Sequence, residues 1–157
     1  MHKNKNVSVV SSNKTSCDLH LFRLNLARRC RDEKLCDTFG TFDGGSPVNI
    51  ADTLTDYRYS ICVENDISPF FFTERITNCF MSMTVPIYCG ASEIDKFFNP
   101  DGIIFMKPGE DIREILKKCS KQDYESRIPA IKDNFDRVQK YRNIWDFMYN
   151  EYLKDEL

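Results

Sequence analysis

Three short polar groups in this chain have the types and spacing to hold an anion that also carries hydroxyl groups. Glu64-Asn65-Asp66 follows at once on an apolar run, Tyr57–Val63; Thr73-Glu74-Arg75 opens a segment of helical periodicity; Arg23 stands early in a helix that follows a strand and a polar turn. Carboxylates and carboxamides pair with hydroxyls, and guanidiniums beside the unsatisfied N–H groups of a helix start neutralise phosphate. The combination suits a nucleotide-sugar. Each residue also has a plainer reading: Arg23 as the exposed side of an amphipathic helix, Glu74 and Arg75 as a favourable acid in a first helical turn with its solvated neighbour, Asn65 as the cap of a turn, Phe71 as core.

Elements that bring these groups together can be read from periodicity. Tyr57–Val63 mixes β-branched and aromatic residues as a buried strand does, and ligands of open α/β sheets bind at the carboxyl ends of such strands. Ser68-Pro69 breaks the chain, and Ile76, Cys79, Phe80 and Met83 recur at helical spacing after Thr73. Val85–Cys89 is a short apolar strand closed by Gly90, residues 93–98 a short helix, Asn99-Pro100-Asp101-Gly102 a turn, and Ile103–Met106 another strand. Upstream, Asn6–Ser11 reads as a strand, residues 12–16 as a polar turn, Leu19–Arg31 as a helix with Leu19, Phe22, Leu26 and Cys30 on one side, and Leu35–Phe39 as a second strand ending in Gly40. Phe42–Asp56 is expected to be a polar loop bent at Gly44-Gly45-Ser46-Pro47. Residues 109–128 predict a short helix around Ile112, Ile115 and Leu116 followed by a charged connector. From Ile131 the apolar positions Phe135, Val138, Tyr141, Trp145, Met148 and Tyr152 predict a long amphipathic C-terminal helix. Strands alternating with helices imply an α/β fold with a parallel sheet flanked by helices. The expected organisation is a ligand-binding domain over 1–123 and a helical extension over 124–157.

Composition narrows the function classes. The 157 residues suffice for one domain. A net charge of −2 and a pI near 5.7 argue against a nucleic-acid partner, which usually leaves a basic footprint. The first forty residues are nonetheless locally basic, with Arg28, Arg29 and Arg31 close together. The seven cysteines form no C-x-x-C pair, and several fall inside expected strands or helices, so they read as reduced structural thiols, in keeping with a cytoplasmic compartment. No metal site is expected. His2 lies at the terminus and His20 reads as a polar helix position. Residues 1–10 show no signal-peptide pattern and no apolar run is long enough to span a bilayer, so membrane association would come only through segments outside this sequence. Lys154-Asp155-Glu156-Leu157 spells a retrieval address that is read only behind a signal peptide.

Taken in order, Ile61-Cys62-Val63-Glu64-Asn65, Phe71-Phe72-Thr73-Glu74-Arg75-Ile76, Val85-Pro86-Ile87-Tyr88-Cys89-Gly90 and Phe97-Phe98-Asn99-Pro100 resemble the donor-binding half of the α-1,3/α-1,4-fucosyltransferase family, whose pattern is roughly F-E-N, then Y-x-T-E-K, a helix, and [IV]-P-[IV]-[YV]-x-G. Val9-Val10-Ser11-Ser12-Asn13 and Asp37-Thr38-Phe39-Gly40 resemble its upstream strands and turns, so the likeness covers residues 7–118. It implies the Rossmann-like C-terminal half of a GT-B glycosyltransferase that binds GDP-fucose and transfers fucose with inversion to an N-acetylglucosamine-containing glycan, needing neither cofactor nor metal.

Carried onto this chain, the resemblance implies that Arg23 and Arg75 neutralise the diphosphate, Arg75 standing where the family has lysine. Glu74 would accept from the ribose hydroxyls, Asn65 would contact phosphate or fucose, and Glu64 would support the site or approach the sugar. Phe71 stands where the family commonly has tyrosine, which keeps stacking and loses the phenolic hydrogen bond. The acceptor site and the general base belong in the family to an N-terminal domain that these residues are not expected to supply. Two readings follow: a fucosyltransferase donor domain, located in the Golgi if it is part of a eukaryotic enzyme, or a nonenzymatic module that binds GDP or a nucleotide-sugar.

Overall fold

The computed structural model describes residues 2–142. Strands buried on both faces form the centre of a parallel sheet, and two such strands lie at the centre of the molecule: β3 (Tyr57–Val63), buried except at Arg58, and β4 (Val85–Cys89), buried throughout. Both match the expected strands residue for residue. With β1 (Lys5–Val10), β2 (Asp37–Phe39) and β5 (Ile104–Phe105) they make a five-stranded sheet of order β2-β1-β3-β4-β5 in which every pair is parallel. The register sets Val9, Ile61, Ile87 and Ile104 in one row across four strands.

Helices cover the two faces, as the alternation of elements requires. α1 (Asp18–Asp32) packs Leu24, Ala27 and Cys30 against Val7, Val9 and Ile61 on the first face. α2 (Glu74–Met81) packs Ile76, Cys79 and Phe80 against Cys62 and Tyr88 on the second, together with Ile94 and Phe98. α3 (Ile112–Leu116) buries Ile112 and Ile115 in the first core. α4 (Lys121–Val138) serves both: Tyr124 and Ile131 join the first core and Val138 the second. Asn134, fully buried on α4, exchanges hydrogen bonds with the backbone of Asn99 at 2.6 and 2.9 Å, which ties this helix to the turn ahead of β5. No helix among the described residues is long and apolar enough to cross a membrane.

Departures from expectation have local causes. β2 is shorter than Leu35–Phe39 because the chain is still turning out of α1: Lys34 has a left-handed φ of 54° and Leu35 N–H donates to Cys30 O. Residues 93–98 make only a 3-10 turn, Ile94–Lys96, and the last strand is two residues long. The charged connector expected ahead of residue 128 is instead the opening of α4, started by Ser120, whose side chain accepts from Asp123 N–H. Its charges face solvent around one buried anchor, Tyr124, so apolar periodicity is too sparse there to reveal a helix. The expectations for Trp145, Met148, Tyr152 and the terminal tetrapeptide lie outside the described residues.

Candidate functional site

The strand order reverses between β1 and β3: from β1 the chain moves outward to β2, then returns to the other side of β1 for β3. At such a switch point the loops leaving the two strands diverge and open a crevice at their carboxyl ends. Arg23, on α1, reaches across it. The residue is 4% exposed, and Nη1 donates to Val63 O at 2.9 Å and to Asn65 Oδ1 at 3.2 Å. Its remaining nitrogens make no hydrogen bond to the described residues, and the side chain lines the crevice.

Arg75 faces the same crevice from the first turn of α2. Thr73 caps that helix by accepting from Arg75 N–H at 3.3 Å. The Arg75 side chain, 34% exposed, stands with Nε 4.0 Å from Glu64 Oε2 and donates no hydrogen bond to the described residues. Burial and then the neighbouring Arg75 charge hold the Arg23 guanidinium below its ordinary basicity. Two cations thus share one crevice with most of their donors unspent.

The space between them has an inner part of about 100 Å³, lined by Thr53, Leu54, Ser60, Cys62 and Asn78, and an outer part of about 260 Å³ lined by Ser11, Ser12, Gly40, Thr41 and Val48. Val10, Arg23, Ile50 and Arg75 border both. Glu74, exposed at the start of α2, stands at the inner rim. Among the described residues no group of three His, Cys, Asp or Glu side chains is arranged to hold a metal ion.

Of the six candidates, Arg23, Glu74 and Arg75 line the crevice, and Asn65 is bonded to Arg23 beside it. Glu64 is 0% exposed and lies behind it. Burial raises the Glu64 pKa, against the opposing pull of its hydrogen bonds from Thr73 and of Arg75. Phe71, 39% exposed, sits on the turn closed by its own N–H to Ser68 O and lines neither part of the crevice. His20 lines neither part, and its ring Nδ1 is enclosed without a hydrogen-bond partner among the described residues.

The outer wall, from Gly40 to Ile50, is what the sequence reading missed. It overlaps the stretch Phe42–Asp56 expected as a polar loop, which instead carries 3-10 turns at Phe42–Gly44 and Ile50–Thr53, and it is held by Asn13, whose carboxamide donates to Thr41 O and accepts from Asp43 N–H. Gly40 was the available signal. It has φ +105° and passes so close to β1 that a Cβ would overlap Ser11 O, so only glycine fits.

Comparison with known proteins gives the family and the fold. The family model for the C-terminal region of glycosyltransferase family 10 (fucosyltransferase) matches residues 1–127. The alpha-(1,3)-fucosyltransferase FucT of Helicobacter pylori is 34% identical over 61 residues, 39% of this chain and 13% of that protein. A solved α1,3-fucosyltransferase with GDP superimposes with a TM-score of 0.64 at 20% identity, over 94% of this chain and 47% of the other. A second, with GDP-fucose, gives 0.51 at 22% identity, over 96% and 39%. The chain therefore spans less than half the length of these relatives. The parallel sheet with flanking helices and a long C-terminal helix is the fold of those GT-B enzymes.

Proposed function

The chain belongs to glycosyltransferase family 10, the fucosyltransferases, and we propose that its crevice is the donor site, binding GDP-fucose with the diphosphate between Arg23 and Arg75. One observation carries this reading: two guanidiniums line one crevice at the switch point with donors to spare, and the one acid paired with either, Glu64, is buried 4.0 Å behind Arg75 and offsets only part of their charge. Holding like charges together in a partly dry crevice is unfavourable unless an anion joins them. A diphosphate supplies that charge.

Glu74, at the inner rim, is suited to accept from the ribose hydroxyls, and Asn65 is held by Arg23 where it can contact phosphate or fucose. In transfer, an acceptor hydroxyl of a glycan attacks the anomeric carbon as the bond to the GDP oxygen breaks. The sugar inverts, GDP leaves with the electron pair, and a base contributed by another domain takes the hydroxyl proton. The guanidiniums offset the charge that grows on the leaving diphosphate, the part a divalent cation takes in other enzymes. Donor binding is therefore expected to survive EDTA.

Calorimetric titration of the chain with GDP, GDP-fucose and UDP tests the reading. Binding of both guanine nucleotides in preference to UDP is expected, whereas a folded chain that takes up none of them would sink it.

A further inference from the structure

We propose that Glu64 is a positioning residue: a buried carboxylate that fixes the start of α2 and aims Arg75 into the crevice without itself touching the donor. The inference rests on the donor-site reading and explains how that site is built before ligand arrives.

Glu64 is anchored first by backbone. Its N–H donates to Cys89 O at 2.8 Å, which extends the β3–β4 ladder by one residue and turns the side chain inward. Gly90 then makes room for it. A Cβ at Gly90 would lie 2.6 Å from Glu64 Cγ and would also strike the Tyr88 hydroxyl, so the glycine that closes β4 is required by the glutamate that follows β3.

Lodged there, the carboxylate takes both donors of one residue. Oε1 accepts from Thr73 N–H at 3.0 Å and Oε2 from the Thr73 hydroxyl at 2.7 Å. The same hydroxyl oxygen accepts from Arg75 N–H, so Glu64 sets the cap that starts α2. Oε2 also faces Arg75 Nε at 4.0 Å, while the terminal nitrogens of that guanidinium are spent on no described residue.

A carboxylate with no exposed surface cannot receive a sugar hydroxyl, but its charge reaches Arg75 across 4 Å. In a partly dry site that charge offsets the repulsion between Arg75 and Arg23 and keeps both aimed at one spot while the crevice is empty. Pre-positioning of this kind raises affinity because the ligand need not order the side chains itself.

The test is GDP titration on Glu64→Gln, Thr73→Ser and Thr73→Val, with Glu64→Gln also made in an Arg75→Gln background. Glu64→Gln should weaken GDP binding about tenfold, the size of one charge-assisted contact. It should cost almost nothing further once Arg75 is gone, because Glu64 acts through it. Thr73→Ser should bind as the parent does and Thr73→Val should follow Glu64→Gln. Unchanged affinity in Glu64→Gln, or an equal loss in both backgrounds, would overturn the assignment. Should Glu64→Gln fail to fold, the two Thr73 variants carry the same decision, with equal binding by Ser and Val overturning it. A parent chain that does not bind GDP takes down the donor-site reading itself, a result distinct from either of these.

Discussion

The two ends of the sheet treat a buried cation in opposite ways. At the amino end Lys3, 3% exposed, donates to Leu54 O, Thr55 O and Thr84 Oγ1 at 2.9, 2.9 and 3.0 Å. An ammonium has three N–H donors, so none is left over. At the carboxyl end Arg23 is buried to nearly the same degree yet commits one terminal nitrogen, and Arg75 beside it donates no hydrogen bond to the described residues. Burial alone therefore does not distinguish a structural charge from a functional one. What distinguishes them is how many donors the protein leaves unspent, because desolvating a charge without satisfying it is unfavourable unless a ligand finishes the job.

Replacing one cation at each end breaks this contrast most directly. Arg75→Glu reverses the charge that faces the diphosphate and should weaken GDP binding at least about 100-fold. Its melting temperature should also fall, because the new carboxylate faces buried Glu64 where Arg75 stood 4.0 Å away. Arg75→Gln, which adds no like charge, should weaken GDP binding with a smaller loss of stability. Lys3→Met should do the reverse. Leu54 O keeps Tyr57 N–H and the Thr84 hydroxyl, and that hydroxyl keeps its carbonyls. Part-buried Thr55 O, however, loses its partner among the described residues, which costs about 1–3 kcal/mol of stability in urea unfolding, while GDP affinity stays unchanged. If Lys3→Met weakened GDP binding as strongly as it lowered stability, the two ends would not be separable and the contrast would fail.

How much of this was legible varies with what each residue depends on. β3 and β4 were readable to the residue because β-branched and aromatic residues dominate them and polar residues or a glycine mark their ends. The start of α2 was readable from Thr73-Glu74-Arg75, since a cap and a first-turn acid are local features. Arg23 and Arg75 were readable as candidates and both line the crevice, but the division of labour between Arg23 and Asn65 was not, because it depends on a contact between α1 and the loop after β3. Glu64 was read as supporting the site or approaching the sugar; only the fold shows it turned inward under Gly90, with no exposed surface for a sugar. The wall from Gly40 to Ile50 was illegible beyond its glycines, for Asn13 holds it from a different loop. Phe71 shows the limit from the other side: an aromatic beside a motif can stack, pack or stand in solvent, and its type does not say which.

A pH titration sharpens the comparison with a smaller effect. Burial lowers the Lys3 pKa from 10.5 to about 8, so between these values the unfolded chain binds more protons and stability rises with pH. Burial works the other way on the thiols, raising Cys89 from 9.0 to about 11 and Cys119 to about 12. Their contribution is complete below pH 9 and is lost as pH climbs through the raised values. The parent should thus gain stability from pH 8 to 9, mainly through Lys3 with a share from Cys30, whose thiol the Cys36 contact holds below its ordinary pKa, and the gain should fade above 9 as the other thiols oppose it. In Lys3→Met the early rise should shrink to the part that Cys30 supplies and the loss should set in earlier. Urea midpoints at half-unit steps would decide; an identical rise in the variant would mean that another group titrates there.

The smallest effect is expected from a cation that is already satisfied. Arg28 lies on α1 like Arg23, but its guanidinium grips Asp43 with three hydrogen bonds of 2.6 to 3.1 Å, and Asp43 also takes Arg31 at 2.9 Å. These pairs lower the Asp43 pKa to about 2. They are solvent-exposed, however, where ion pairs contribute little and salt screens them. Asp43 keeps Arg31 and the Asn13 contact when Arg28 is removed, so the outer wall should hold. Arg28→Ala is accordingly expected to leave the melting temperature and the GDP affinity at 150 mM salt within error of the parent. A fall in affinity approaching that of Arg75→Glu would show that the basic first lobe attracts the nucleotide through its summed field. In that case the loss should shrink steeply as salt rises, whereas the loss from Arg75→Glu, set by direct contact in a partly closed crevice, should persist.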